Sequence, residues 1–259
     1  MLRIDQARKG YFQKNLQATK HFHSTAAIKA EILHKEVHAH NFNLPEIILG
    51  GQDGLVNVLG VILGVAAATS ELKIVIVAGL AAAFAESISM GAVAYTSRLA
   101  EADFYQSEYE REQWEIENVP EGEREEIKVL YQTYGFSGKL LDEIVQTITA
   151  DKNLWLKVMM EQELKLEKIE RKDALPAGII VGVSAIIGSF IPLTPFFLLP
   201  INTAIWLSLA VSAITLFYVG YYKAKKTIGR KFIRSGFEML VIGMVSALVG
   251  YLIGSLFKI

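Results

Sequence analysis

The sequence contains no cysteine, which excludes disulfide bonds, thiolate metal ligands and cysteine nucleophiles. Net charge is almost absent too: 26 basic and 27 acidic residues leave −1 at pH 7, so bulk charge favours no nucleic-acid partner. Histidine is confined to the first 40 residues. The acidic ExxE pairs further along therefore lack the histidine of carboxylate-bridged di-iron oxidases, and we expect no enzyme of that class.

Five long apolar runs fill most of the chain, at about 47–69, 74–97, 175–193, 197–222 and 237–257. Each is close to the roughly 20 residues that a helix needs to cross a bilayer. Helices this apolar on every face belong in lipid. The sequence predicts an all-α polytopic membrane protein with five transmembrane helices, and an uncharged turn at Pro192, Pro195 and Pro200 between the third and fourth.

Composition divides the chain into four predicted segments. They are an amphipathic cytoplasmic helical arm (1–45), transmembrane helices 1 and 2 (46–97), a cytoplasmic three-helix acidic domain (98–173) and transmembrane helices 3 to 5 (174–259). Six basic residues and no acid lie between Lys223 and Arg234, and the arm is also basic. Since such residues collect on the cytoplasmic side, we expect the N-terminus and the acidic domain inside and the C-terminus outside.

All five histidines lie in the predicted arm, and His34 and His38 are spaced i, i+4. This spacing can bind a metal on one helix face. A third fixed ligand is missing, so we favour the alternative that these are polar-face residues of a helix lying on the membrane surface.

Two acids interrupt the first two apolar runs, Asp53 in one and Glu86 in the other. A carboxylate inside a membrane is costly and by default indicates a functional site. If the two helices are antiparallel, a rise of about 1.5 Å per residue puts Asp53 level with Met90 and Asn57 level with Glu86. These four residues are the predicted transport path.

The segment 98–173 holds 19 of the 27 acids and 11 of the 26 bases, which leaves a net charge of −8. Glu112 with Glu115, and Glu123 with Glu126, form two i, i+3 pairs whose carboxylates point the same way. A third helix, expected over 152–171, offers further candidate ligands: Met160, Glu161 and Glu163. Carboxylates suit divalent ions, and thioethers shift the preference towards transition metals. The alternative is an ordinary solvated helix face.

Three motifs occur together with the five-span layout: DGLVN at 53–57, ESISMG at 86–91 and REQWEIENVPEGEREEI at 111–127. In these the chain resembles the vacuolar iron transporter family. The resemblance implies exchange of Fe²⁺, and often Mn²⁺, for protons by a homodimer whose ion path lies between protomers.

The resemblance also assigns roles to residues. Asp53 and Met90 match the family's path-lining residues, and the four paired glutamates match its cytoplasmic ligands. Met160, Glu161 and Glu163 match its third-helix ligands. The metal is then a substrate, and no permanently bound cofactor is expected.

We therefore expect a transporter that carries divalent metal out of the cytoplasm, across a cell membrane in a prokaryote or a vacuolar membrane in a eukaryote. One alternative is a membrane-anchored metal sensor or store that does not transport. It would share the acidic segment but would not need aligned acids inside lipid. Another is a scaffold whose glutamate face binds a protein partner.

Overall fold

The structure is a computed structural model that describes residues 44–69, 71–227 and 231–257. Across these ranges every regular element is helical. The predicted amphipathic helices of the arm and all five histidines lie outside the described residues. In chain order the elements are α1 (Leu44–Thr69), α2 (Leu72–Asn118), α3 (Pro120–Thr133), α4 (Gly138–Thr149), α5 (Lys152–Val158), a π turn (Met159–Glu163), a 3₁₀ turn (Arg171–Asp173), α6 (Ala174–Leu198), α7 (Ile201–Thr227) and α8 (Phe232–Leu256).

Five helices in the described part of the chain are long and apolar enough to cross a membrane. They are α1, α2, α6 with the turn before it, α7 and α8, and their most apolar stretches have mean hydropathies between 1.6 and 2.1. The prediction of an all-α protein with five membrane-spanning helices is confirmed.

The described chain forms two compact units. One runs up to Ser87 and resumes at Val183, and its core includes Leu59, Ile62 and Phe196. The other is Ile88–Gly182, and its core includes Ile127 and Met159. The functional division of the sequence at 45, 97 and 173 stays a prediction.

The helix expected over 152–171 ends much earlier than predicted. Regular α-helix stops at Val158, a π turn carries the chain to Glu163, and residues 165–170 have no regular secondary structure. Lys165 has a φ of 55°, the left-handed conformation that commonly ends helices. Its Glu/Lys-rich neighbours carry no local signal for this ending, since Glu and Lys are good helix formers.

The predicted proline turn is also shorter than expected, because Pro192 and Pro195 lie inside α6. Proline is tolerated in membrane helices where neighbouring side chains restore hydrogen bonding. In addition, Ser208 of α7 donates a hydrogen bond to the carbonyl oxygen of Pro192, at 2.7 Å, and so links the two helices at this point. The chain therefore turns only around Leu199 and Pro200.

Two glycine pairs bring α1 and α8 into backbone contact. Gly60 and Gly64 of α1 face Gly250 and Gly254 of α8, and a methyl group on either α8 glycine would overlap a carbonyl oxygen of α1. Small residues at this spacing allow the close helix packing that replaces the hydrophobic effect in lipid. The GxxxG pairs of the sequence thus pack against each other.

We predict that Gly250→Ala lowers the free energy of unfolding by about 1–3 kcal/mol, the usual cost of overpacking. The matched control is Gly60→Ala, whose added methyl would meet its nearest neighbour, Ser246, at 3.6 Å. Thermal unfolding of the full chain in detergent checks this. Equal melting temperatures for the two variants would contradict the packing argument.

Candidate functional site

Three glutamates from two consecutive helices form a cluster next to the α2–α3 turn. Glu112 and Glu115 lie in the last two turns of α2, and Glu123 lies in the first turn of α3. Pro120 starts α3, where its missing N–H costs nothing. One carboxylate oxygen from each glutamate lies within 4.8 Å of the others. This is a spacing at which one cation can contact all three.

The cluster is largely removed from water. The Glu112 side chain is 2% exposed, Glu123 is buried, and Glu115 is about a quarter exposed. Among the described residues, one oxygen each of Glu112, Glu123 and Glu163 is buried and has no hydrogen-bond partner. Burying such an atom is costly unless a partner compensates. The unpartnered oxygens fit a site that receives a cation.

A single arginine neutralises part of this charge. Arg111 contacts Glu108 at 2.9 Å and Glu112 at 2.6 Å, and it also contacts Glu115. Sequence analysis did not single out Arg111 as part of the site. Its position three residues after Glu108 and four before Glu115 was the available signal, because both spacings place side chains on one helix face.

The electrostatics of the cluster favour protonation of its acids. Burial, followed by repulsion from Glu112, Glu126 and Glu115, raises the pKa of Glu123 to about 7. Burial is also the main cause that raises the pKa of Glu112 and of Glu163. Protons therefore compete with any divalent cation for these carboxylates.

The other predicted ligands fall into two groups. Glu126 is exposed but interacts electrostatically with Glu112, Glu123 and Glu163, so it belongs to the same cluster. Glu163 ends the π turn, which is anchored where the Tyr131 hydroxyl donates to the side-chain oxygen of Gln162 at 3.1 Å. Irregular turns of this kind are frequent at functional sites.

Two further residues were predicted as ligands. Met160 is 2% exposed and packs in the hydrophobic core of its unit. Glu161 is exposed and pairs with Lys157 at 3.9 Å. The converging carboxylate oxygens are a donor set suited to divalent cations.

A second polar group lies within the membrane-spanning helices. Both carboxylate oxygens of Glu86 in α2 are shielded from solvent, and within the described chain neither makes a hydrogen bond of good geometry. The polar groups that act on Glu86 are Asn57 and Asp53 of α1. The structure thus brings together three of the four residues of the predicted path.

Asp53 and Asn57 are exposed on the surface of the single chain. Asn57 also lines an open groove of about 490 Å³ between α1 and α8, next to Gly60 and Gly64. Met90, the fourth predicted path residue, is half-buried on α2 and belongs to the other compact unit.

The five apolar helices and the acids embedded in them define a multi-pass membrane protein, and the carboxylate cluster suits a membrane transporter. The VIT family profile matches residues 44–255, and the chain belongs to this family. Its members are transporters rather than enzymes.

Named relatives match over most of their length. Vacuolar iron transporter 1 of Arabidopsis thaliana is 35% identical over 207 residues, which cover 80% of this chain and 82% of the relative. Vacuolar iron transporter 2 of Oryza sativa subsp. japonica is 33% identical, with coverage of 80% and 84%. The vacuolar iron transporter of Plasmodium falciparum (isolate 3D7) is 32% identical over 266 aligned residues, with coverage of 98% and 96%.

The raised pKa of Glu123 predicts how metal-free stability depends on pH. Between the ordinary value of 4.5 and about 7, the folded state binds more protons at Glu123 than the unfolded state does. The free energy of unfolding should therefore fall as pH rises through this window and level off above it. Melting temperatures of the full chain, measured with a chelator from about pH 5 to about pH 8, check this.

Glu123→Gln should flatten this dependence. The control is Glu125→Gln, which removes an exposed glutamate that pairs with Lys128 at 3.8 Å. If both variants keep the wild-type slope, Glu123 is not responsible for it.

Proposed function

We propose that this protein carries divalent metal ions, Fe²⁺ and also Mn²⁺, out of the cytoplasm in exchange for protons. One observation carries the proposal: Glu86, beside Asp53 and Asn57, holds a carboxylate shielded from solvent inside a membrane-spanning helix. A sensor or store would not need such a group, because the cost of a carboxylate in lipid is normally offset by function. The names of the iron-transporting relatives support the choice of metal.

The exchange follows from charge. An acid pair in a medium of low dielectric constant can be neutralised by protons or by a divalent cation, and either state excludes the other. A metal ion that enters between Asp53 and Glu86 therefore releases protons. Its departure to the other side leaves the acids to bind protons again.

The second element of the proposal is a homodimer. Asp53 and Asn57 are exposed on a single chain, yet they lie in an apolar helix where contact with acyl chains would be costly. A second copy of the chain packed on this face would cover both side chains and enclose a path between protomers, on which we also place Met90.

The third element is a loading role for the clustered glutamates, with Glu126 and Glu163 beside them. Their unpartnered oxygens support capture of metal from the cytoplasm. The basic residues after Tyr222 support a cytoplasmic position for the end of α7. With five spans, the N-terminus and residues 98–173 are then cytoplasmic and the C-terminus is outside.

We predict that liposomes containing the protein take up Fe²⁺ or Mn²⁺ much faster when their interior is acidic than when no pH gradient is present, and that uptake dissipates the gradient. The reason is that each metal ion replaces protons on the same acids. Metal uptake under anaerobic conditions and the internal pH, reported by a dye, are measured on the same vesicles. They check the dependence on the gradient and its dissipation, with protein-free liposomes as control. Uptake that neither needs nor consumes the gradient would contradict the exchange.

We further predict that Asp53→Ala abolishes transport, because it removes an acid from the path. Glu112→Ala combined with Glu115→Ala should only weaken the apparent affinity, because it removes loading but leaves the path intact. Initial uptake rates over a range of metal concentrations separate the two effects.

A suitable control is Glu238→Ala, which removes an exposed acid of α8 that pairs with Arg234 at 2.9 Å. It should transport like the wild type. Equal loss of transport in the Asp53 variant and the double variant would refute the division of roles.

A further inference from the structure

The arginine of the carboxylate cluster is paired with carboxylates that a metal ion would also need. Its guanidinium contacts Oε1 of Glu112 at 2.6 Å and also contacts Oε2 of Glu115. Two further N–H groups reach Oε2 of Glu108, at 2.9 and 3.1 Å. Two of the three glutamates whose oxygens converge are therefore already engaged by one side chain.

A carboxylate oxygen that receives a guanidinium bond has its lone pair directed at that donor. A divalent ion between Glu112, Glu115 and Glu123 would lie beside a second positive charge unless the guanidinium moved away. Two cations a few ångströms apart repel strongly where water is scarce. Metal and guanidinium thus compete for the negative charge of the same carboxylates.

The arginine is well placed to leave. Its side chain is 43% exposed, and its three glutamate partners lie on its own helix, α2. Releasing them breaks ion pairs within one helix without opening a contact between helices. An arginine is always charged in proteins, so it remains a counterion for these acids whenever they are ionised.

We propose that Arg111 is a built-in competitor for the metal site: it neutralises Glu108, Glu112 and Glu115 when metal is absent, and an incoming divalent cation displaces it. This inference rests on the proposed function, because it assumes that the cluster binds the transported metal. The arginine keeps the empty site folded and lowers its affinity for metal. A lowered affinity lets the ion leave the cluster for the membrane path.

The displacement also favours divalent over monovalent cations. A monovalent ion that displaces the guanidinium leaves the net charge of the cluster unchanged, so little binding energy is gained. A divalent ion adds one further positive charge and neutralises more of the negative charge of the acids. The unpartnered oxygens of Glu112 and Glu123 offer a first contact before the guanidinium moves.

The test compares Arg111→Gln and Arg111→Lys with the wild type in the full chain, purified in detergent without metal. Mn²⁺ binding is measured by calorimetry, and melting temperatures are measured with and without Mn²⁺. Arg111→Gln should bind Mn²⁺ about tenfold more tightly, since it removes three ion pairs that oppose binding. Arg111→Lys should lie between, because an ammonium cannot bridge three carboxylates as a guanidinium does.

The melting temperatures separate competition from a purely structural role. Without metal, Arg111→Gln should melt below the wild type, because the glutamates repel each other. With saturating Mn²⁺ the gap should close. A residue that only supported the fold would lower both melting temperatures equally.

Arg124→Gln is the matched control, since Arg124 pairs with Glu121 at 2.8 Å and stacks on Trp155. It should bind Mn²⁺ like the wild type. If the wild type binds Mn²⁺ but Arg111→Gln binds equally or more weakly, the inference is overturned and metal loading stands. If the wild type binds no Mn²⁺, the loading role fails as well.

Discussion

The structure depends on buried carboxylates that lack a full set of hydrogen-bond and ion-pair partners. Burying a charged group costs free energy that a hydrogen bond or a counterion must offset. In the second compact unit an arginine offsets part of that cost at Glu112, while oxygens of Glu123 and Glu163 are left over. Inside the membrane-spanning helices, Asp53 and Asn57 are the polar groups of the described chain that act on Glu86. Both places are poised to bind a positive charge, whether metal ion or proton.

The helices that carry these acids are held by contacts of backbone on backbone. Gly250 and Gly254 of α8 meet α1 with no room for a methyl group, so the helix that bears Asp53 and Asn57 is held along that contact. In the other unit, a hydrophobic core around Ile127 and Met159 holds the ends of α2 and α3 and the π turn. Rigid supports of this kind keep like charges close, which flexible loops would allow to separate.

The features that depend on local sequence pattern could be predicted. Apolar length gave the five spans, and i, i+3 spacing gave the pairing of Glu112 with Glu115. Sequence reasoning could not give the break at Lys165, because a left-handed residue among good helix formers is imposed by the packing of its neighbours. It also missed the prolines inside α6, because proline is tolerated in membrane helices and so is an uncertain sign of a turn there. The role of Arg111 was not predicted, because a basic residue among acids is typical of an exposed helix face. The sequence does not show that the acids beside it are buried.

The π turn determines how many residues connect α5 to Glu163 in the cluster. A π turn contains one more residue than an α-helical turn covering the same rise. Losing a single residue between Met159 and Glu163 would remove this extra residue and return the turn to α-helical geometry. Glu163, whose carboxylate interacts with Glu126, would then be held by a different backbone geometry. In this segment a deletion should therefore disturb the cluster more than a conservative substitution does.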